Sequence, residues 1–489
     1  MLLILPLTII ALLISDASAT PTPQSQGISI NLRRRVHSRS VDDWGVWAKN
    51  HREGLMAKYG GRTGASKRSS GTNLYVPPSI NLTKIVLILF LAPSQLERPP
   101  VSYDVILDTG SSDLWVAGNT CTSGCSSVPT FDSSASSSFA DKGTAFNIVY
   151  GHGEAGGTLA SETVQMAGFS VSNQVFAVCD QVSSDLLTSP VSGLLGLAWQ
   201  SIAASGATPF AQTLASGTSW DSPVMAFQLT RFLNQSKTQE LQAGGSFTMG
   251  FVNTTLYTGD IDFIDMPATN SYWLLPITGL HTVIYYEYGL SLFKAITVQG
   301  NSVTVPSGPS SYAAIDTGTT LVAGPPDQIA SIYAQIPDSQ PGTGNLEGFY
   351  LYPCATSVTV TFSFGGKTWA VSPADFQSRE VSPGTCLGAF FTLTTSEGTP
   401  AWILGDTFLK NVYSVFRFNP PSVGFAQLSD YSLSMNGNVE LEAPSATIGS
   451  VSVFATAGSV HANSNSAVSL RMPSLLFTIV MTIWAGLAI

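Results

Sequence analysis

The sequence predicts an all-β fold built as two related lobes with a cleft between them. Three observations carry this. The chain has 489 residues, too many for one small core and enough for two lobes once end segments are set aside. Charged residues are only 11% of the chain and glycines number 44, which suits β-rich, turn-dense extracellular structure better than long helices. One internal duplication is plain: Val105-Ile106-Leu107-Asp108-Thr109-Gly110-Ser111-Ser112 answers Ala313-Ala314-Ile315-Asp316-Thr317-Gly318-Thr319-Thr320.

The strands themselves are short runs rich in Val, Tyr, Phe and Thr, such as Val101 to Leu107, Phe146 to Val149, Val358 to Phe364 and Val412 to Phe418. Gly, Ser and Pro punctuate them, as β-branched strands bounded by turns require.

Each copy of the duplication sets an Asp after an apolar strand, then a hydroxyl residue, a Gly and two more hydroxyls. Gly permits an unusual backbone angle and a close approach, while the Thr and Ser hydroxyls can bond to the loop and the carboxylate. A single Asp-Thr-Gly is more often a turn. Two in matching contexts point to paired carboxylates, Asp108 and Asp316. At hydrogen-bonding distance both cannot ionise cheaply, so one keeps a proton. The charged member can then deprotonate a water that attacks a peptide carbonyl, while the other hydrogen-bonds to the carbonyl oxygen.

On these motifs the sequence resembles the pepsin-like aspartic protease family, and its secreted fungal members in particular, over roughly Pro99 to Leu428. Such proteases are the standard instance of two carboxylates sharing one proton. The resemblance implies a bilobal pepsin-like fold and an endopeptidase that cuts extended polypeptides in acid, with no cofactor and no metal, acting as a monomer. Ser112-Asp113-Leu114-Trp115-Val116 continues the first motif as the family does, and Tyr150-Gly151-His152-Gly153 resembles the tip of its mobile hairpin flap. The family's flap tyrosine and its partner tryptophan map to Tyr150 and Trp115, and flap closure excludes water from the substrate. Gly110, Ser111, Gly318, Thr319, Gly151 and Gly153 complete the implied substrate-binding set. Gly193-Leu194-Leu195-Gly196-Leu197-Ala198 and Trp402-Ile403-Leu404-Gly405-Asp406 resemble the two apolar segments that cross beneath the catalytic loops.

Of five cysteines, Cys121 with Cys125 and Cys354 with Cys386 are natural local disulfide pairs for an oxidising compartment, leaving Cys179 in an apolar strand as a buried, inert thiol. Zinc would need clustered ligands, and the five His are scattered.

Charge is unevenly placed. The chain's net charge is −10, yet ten of its 21 Lys and Arg lie between Thr20 and Arg68, with three acidic residues among them. The acidic body has no electrostatic reason to bind nucleic acid. Residues 1–19 read as a signal peptide, with an apolar run from Leu2 to Ile14 and Ala17-Ser18-Ala19 as cleavage site. Residues 20–68 read as a basic propeptide ending in the dibasic Lys67-Arg68, able to lie across an acidic cleft while carboxylates are ionised and to leave when acid protonates them. The N-terminal lobe is expected over 69–270 and the C-terminal lobe over 271–430. A Ser/Ala-rich tail over 431–465 and a hydrophobic segment over 466–489 fit a glycosylphosphatidylinositol signal, with Ser464 or Asn465 as attachment residue and the membrane or cell wall as destination. Sequons at Asn234 and Asn253 fit the secretory route, hence extracellular localisation.

Two stretches depart from the family. Before the first motif only Pro99-Pro100 remains of the usual Gly-Thr-Pro-Pro, and Val76 to Arg98 has no glycine. This stretch reads as an insertion, a retained intron, that displaces the expected strand and turn, and its apolar Ile85 to Leu91 would be an aggregation hazard if exposed. His281 to Ala295 is a second excess. The alternatives to a peptidase are a catalytically silent binding protein keeping the cleft, against which both aspartates stand intact, and a serine hydrolase, for which no Gly-x-Ser-x-Gly elbow with a fitting His is present.

Overall fold

The apolar runs become strands that meet in two copies of one arrangement. The computed structural model describes residues 28–34, 41–59, 85–92, 101–436 and 451–454, apart from 151–152, 167–168, 185, 232–241, 268–270, 279–283, 287–288, 292–294, 299–300 and 397. Along the chain come β1 (Ile28–Arg34), the helix α1 (Val41–Tyr59), β2 (Ile85–Ala92), β3 (Val101–Asp108), β4 (Leu114–Ala117), β5 (Ala140–Tyr150), β6 (Gly153–Met166), β7 (Phe169–Val182), β8 (Val191–Gly196), β9 (Val224–Leu229) and β10 (Gln242–Met249).

In the first lobe β3 runs parallel to β8, β8 antiparallel to β4, and β4 parallel to β7. The second lobe repeats this. Tyr312–Ile315 runs parallel to Trp402–Leu404, which is antiparallel to Val322–Gly324, itself parallel to Phe390–Thr392. The two apolar segments singled out in the sequence are β8 and Trp402–Leu404, the strand between each Asp-bearing strand and its partner. Their glycines let backbones cross at close range. A Cβ on Gly196 would stand 2.4 Å from the Ser112 carbonyl carbon, and one on Gly405 2.1 Å from the Thr319 oxygen.

A wide sheet joins the halves: Tyr257–Asp265, Pro421–Leu428 and Tyr413–Phe418 lead to β9, β10, β1, β2 and β3 in that order. Trp199, Trp273, Phe416 and Phe418 form an edge-to-face cluster against it, with centroids 5.0–5.3 Å apart, and the Trp273 indole donates to the Leu197 carbonyl at 3.0 Å. Such aromatic pairs add to area burial.

The basic segment is partly inside this body. β1 pairs antiparallel with β10 from Ile28↔Met249 to Arg34↔Gln242, and Leu32 is buried. α1 buries Trp44, Trp47, Ala48, His51, Leu55 and Tyr59, a stripe at helical spacing. It lies against β5 on one side and the turn Gly344–Leu346 on the other.

Within the 76–98 stretch, Ile85–Ala92 is a strand whose backbone pairs with β3 from Val86↔Ile106 to Leu91↔Val101 and also with β6. A run of β-branched and apolar residues supplies the neighbour that β3 needs on that side. Within 281–295, Ile284–Tyr286 and Gly289–Ser291 form a two-stranded sheet of their own. The described part of the second lobe includes the helix Asp430–Ser434, in and after which Ser432 and Met435 are buried.

Both cysteine pairs form, Cys121–Cys125 and Cys354–Cys386, and Cys179 is a buried thiol whose pKa burial pushes up. In the Asn253 sequon the two threonines are exposed, but the asparagine that would carry a glycan is not. Asn253 is buried, its side-chain oxygen accepts from the Thr255 N–H at 3.1 Å and hydroxyl at 2.8 Å, and its own N–H donates to Tyr413. Asn234, the signal-peptide segment 1–19 and the hydrophobic segment 466–489 lie outside the described residues. Among the described residues no helix is long and apolar enough to cross a membrane.

Candidate active site

Each Asp ends or follows a buried strand and turns back on its own motif. Gly110 and Gly318 donate their N–H groups to Asp108 Oδ1 and Asp316 Oδ1, both at 2.8 Å. The hydroxyls one residue further on, Ser111 and Thr319, donate to the other carboxylate oxygens at 2.5 Å and 2.6 Å.

The two motifs are then locked to each other. Thr109 N–H donates to the Thr317 hydroxyl at 3.0 Å, which donates to the Leu107 carbonyl at 2.8 Å. Reciprocally, Thr317 N–H donates to the Thr109 hydroxyl at 2.9 Å, which donates to the Ile315 carbonyl at 2.8 Å. Every bond in this buried square has a partner across the lobe boundary, so the carboxylates are fixed face to face.

Glycine is obligatory at the crossing. A Cβ on Gly110 would lie 2.5 Å from the Asp316 carboxyl carbon, and one on Gly318 2.3 Å from Asp108 Oδ1. No side chain fits there without separating the pair.

The electrostatics divide two chemically identical groups. Burial pushes Asp108 up, Lys58 pulls it down, and Asp316 with its hydrogen bond pushes it up again, for a value of about 6. Burial also opposes ionisation of Asp316, but Lys58 and the hydrogen bonds from Asp108, Thr319 and Tyr59 outweigh it and bring it to about 2. One proton is held between them across the range from weakly acidic to strongly acidic solution. Lys58 contributes to both values, so this division belongs to the pair with α1 in place.

The hairpin expected to form the flap is β5–β6. Tyr150 and Gly153 are the last register pair of the β5–β6 hairpin, and Gly153 has φ 122°, open to glycine alone. The Trp115 indole donates to the Tyr150 hydroxyl at 2.7 Å. Burial, then Asp113 and Asp108, hold the Tyr150 phenol well above its usual range, so it stays neutral. Gly151 lies outside the described residues, as does His152.

Three site residues were not singled out in the sequence. Lys58 Nζ lies 3.2 Å from Asp316 Oδ2 and 3.5 Å from Asp108 Oδ1, and the Tyr59 hydroxyl donates to Asp316 Oδ2 at 2.8 Å. Burial opposes the Lys58 charge, but Asp108 and Asp316 outweigh it and raise the ammonium pKa. Tyr272 packs on the Tyr59 ring at 5.2 Å. The signal available was the position of Lys58-Tyr59 at the end of the aromatic stripe of α1; the larger basic clusters at Arg33-Arg34-Arg35 and Lys67-Arg68 drew attention from it.

Comparison with known proteins agrees with this geometry. The family model for eukaryotic aspartyl protease matches residues 92–428, both aspartates included. The chain belongs to the eukaryotic aspartyl protease family. The protease is 38% identical over 461 residues to major aspartyl peptidase 1 of Cryptococcus neoformans var. grubii, covering 89% of each chain. It is 32% identical over 334 residues to an aspartic protease of Phaffia rhodozyma, 67% of this chain and 73% of that one, and 30% identical over 338 residues to pepsin A of Sus scrofa, 68% and 79%. The protease is therefore a hydrolase of peptide bonds, an aspartic endopeptidase with a bilobal, strand-dominated fold.

Proposed function

We propose that the protease is made as a secreted zymogen and that Asp108 and Asp316, sharing one proton, activate water against peptide bonds of extended polypeptides in acid. The observation carrying this is the contact of Lys58, from the basic N-terminal segment, with both carboxylates at once. A buried ammonium between two carboxylates occupies the position that the reacting atoms of a substrate need, and its opposite charge holds it there while the pair is ionised.

Once α1 leaves, the ionised member of the pair takes a proton from water as the oxygen attacks the carbonyl carbon. The protonated member donates a hydrogen bond to the carbonyl oxygen, and the proton then passes to the leaving nitrogen. The hydroxyls of Ser111 and Thr319 hold the outer oxygens, and the flap at Tyr150 and Gly153, tied to Trp115, closes over the chain. Export through the 1–19 signal and a lipid anchor at Ser464 or Asn465 place the enzyme outside the cell or at its surface.

The test is to express the chain, acidify it, and follow self-cleavage and peptide hydrolysis. Hydrolysis is expected in acid, blocked by an inhibitor bearing a hydroxyl in place of the scissile carbonyl, and lost in Asp316→Asn. Unchanged hydrolysis in the variant overturns the shared-proton mechanism.

A further inference from the structure

The contacts of α1 extend well beyond the aspartates. Trp44 and Trp47 meet edge to face at 4.5 Å, Trp47 stacks on His51 at 4.9 Å and 18°, and His51 tilts onto Phe391 at 5.4 Å. Phe391 in turn stacks on Phe349 at 4.8 Å and 16°. These four linked ring contacts run from the propeptide helix into the second lobe. The Arg52 side chain fixes the helix beside them, donating from Nε to the Thr392 carbonyl at 3.2 Å.

Phe391 faces the helix by alternation along its strand. In Phe390–Thr392 the ring of Phe390 turns inward onto Phe362 and Phe376, so the next residue points to the other face. Phe391, stacked on Phe349, makes an aromatic shelf on which His51 of α1 rests, and both Phe rings are fully buried with the helix in place.

Helix geometry locates the shelf relative to the aspartates. His51 and Trp47 precede Lys58 by seven and eleven residues, so at a rise of about 1.5 Å per residue they sit roughly 10 to 16 Å along the helix from the ammonium. An extended polypeptide, rising about 3.3 Å per residue, spans that distance in roughly three to five residues.

Resting on the endopeptidase function proposed above, we infer that the Phe349–Phe391 shelf is a substrate subsite for an aromatic side chain three to five residues away from the scissile bond. α1 occupies it with His51, which Trp47 backs from behind, in the zymogen. When α1 departs, the Phe391 ring, backed by Phe349, loses its His51 partner, and a substrate ring restores the tilted contact that His51 made. Recognition there acts on binding and leaves the aspartates untouched.

The test uses peptides with one fixed scissile pair in an Ala/Ser background and a single Trp moved through the second to sixth positions on either side, hydrolysed by the acid-activated protease. At one position three to five residues from the bond, Trp is expected to raise kcat/KM about tenfold over Ala, mainly through KM, the gain of burying one aromatic side chain. In Phe391→Ala this Trp-to-Ala ratio is expected to fall to within about twofold of one. Both peptides are measured on the same preparation, so loss of folded protein cancels in the ratio. Phe391→Leu and Phe349→Leu, which keep most of the volume, are expected to reduce the ratio by about threefold or more if the Ala variant does not fold. The inference is overturned if Trp gains nothing at any of these positions, or if its gain survives unchanged in the variants. Absence of hydrolysis of every peptide by the wild type, or equal hydrolysis by Asp316→Asn, instead removes the endopeptidase function on which it rests.

Discussion

Lys58 Nζ lies between the two carboxylates, 3.2 Å from Asp316 and 3.5 Å from Asp108, and shares Asp316 Oδ2 with the Tyr59 hydroxyl. One ammonium thus neutralises a pair that carries one charge between its two pKa values, about 2 and about 6. The contact is complete in weak acid and is lost only as Asp316 itself protonates.

On the zymogen function proposed above, removing that charge is expected to shift conversion. The depressed pKa of Asp316 means that its contribution to holding α1 is present above the ordinary carboxylate value and disappears as pH falls toward about 2. Lys58→Met removes the ion pair, so self-cleavage is expected to begin about one pH unit or more above the wild-type onset, the size of a charge-partner shift. The loss of the intact chain on a gel after acid steps from neutral downward measures it. An unchanged onset would show that the ring contacts of α1 alone hold the segment.

The pair also shapes stability against pH, with opposite signs for its members. Asp108 is raised to about 6, so its folded form prefers the proton and stability falls as pH rises through the window from the unfolded carboxylate value to about 6. Asp316 is lowered to about 2, so stability falls as pH drops from the unfolded value to about 2. The zymogen's denaturant midpoint is expected to be highest near pH ~4, between these windows. Asp108→Asn removes the decline on the alkaline side and leaves the acid side in place. A midpoint that still declines above pH ~4 in the variant would assign that decline to other groups.

Much of the site was legible because it is written twice. Asp108 and Asp316 could be read as a pair from the duplication, and Ser111, Thr319, Trp115 and Tyr150 from the resemblance to the pepsin-like family. The Cys121–Cys125 and Cys354–Cys386 pairs were legible from local spacing. Lys58 was not, because its arrival at the aspartates depends on the path of α1 between β5 and Gly344–Leu346, a tertiary fact with no local spacing rule. Thr109 and Thr317 read only as generic loop hydroxyls, since their partners are 208 residues away along the chain. Asn253 shows the converse: the sequon is legible in three residues, but its asparagine is buried, with its backbone N–H bonded to Tyr413, a partner that the triplet does not encode.

The hydroxyls of Thr109 and Thr317 can be tested as one unit. Val at either position keeps the shape but leaves a buried N–H and a carbonyl of the opposite loop without a partner. Each single variant is expected to lose about 1–3 kcal/mol of stability, and the double variant less than the sum, because each removes part of the same square. A double-mutant cycle on denaturant midpoints measures this. Strict additivity would mean that the two hydroxyls act independently despite their mutual hydrogen bonds.

The glycines at the crossing offer the sharpest separation of folding from chemistry. In Gly318→Ala the new methyl carbon would fall 2.3 Å from Asp108 Oδ1 and 3.1 Å from Asp316 Oδ1, so the carboxylates must move apart or rotate out of register. Gly318 φ is not in the left-handed region, so the backbone itself carries no added strain, and the lobes are held together by the wide sheet and its aromatic cluster as well as by this crossing. The variant is expected to fold and to bind a substrate-like inhibitor at the flap side, while kcat falls by about 100-fold or more, the cost of a misplacement near 1 Å. Because the proton shared between the aspartates depends on their contact, the split between their two pKa values is expected to narrow as well, and the pH dependence of the residual kcat reads that change directly. A variant with wild-type kcat would show that the pair accommodates the methyl group, and that catalysis does not require glycine at this position.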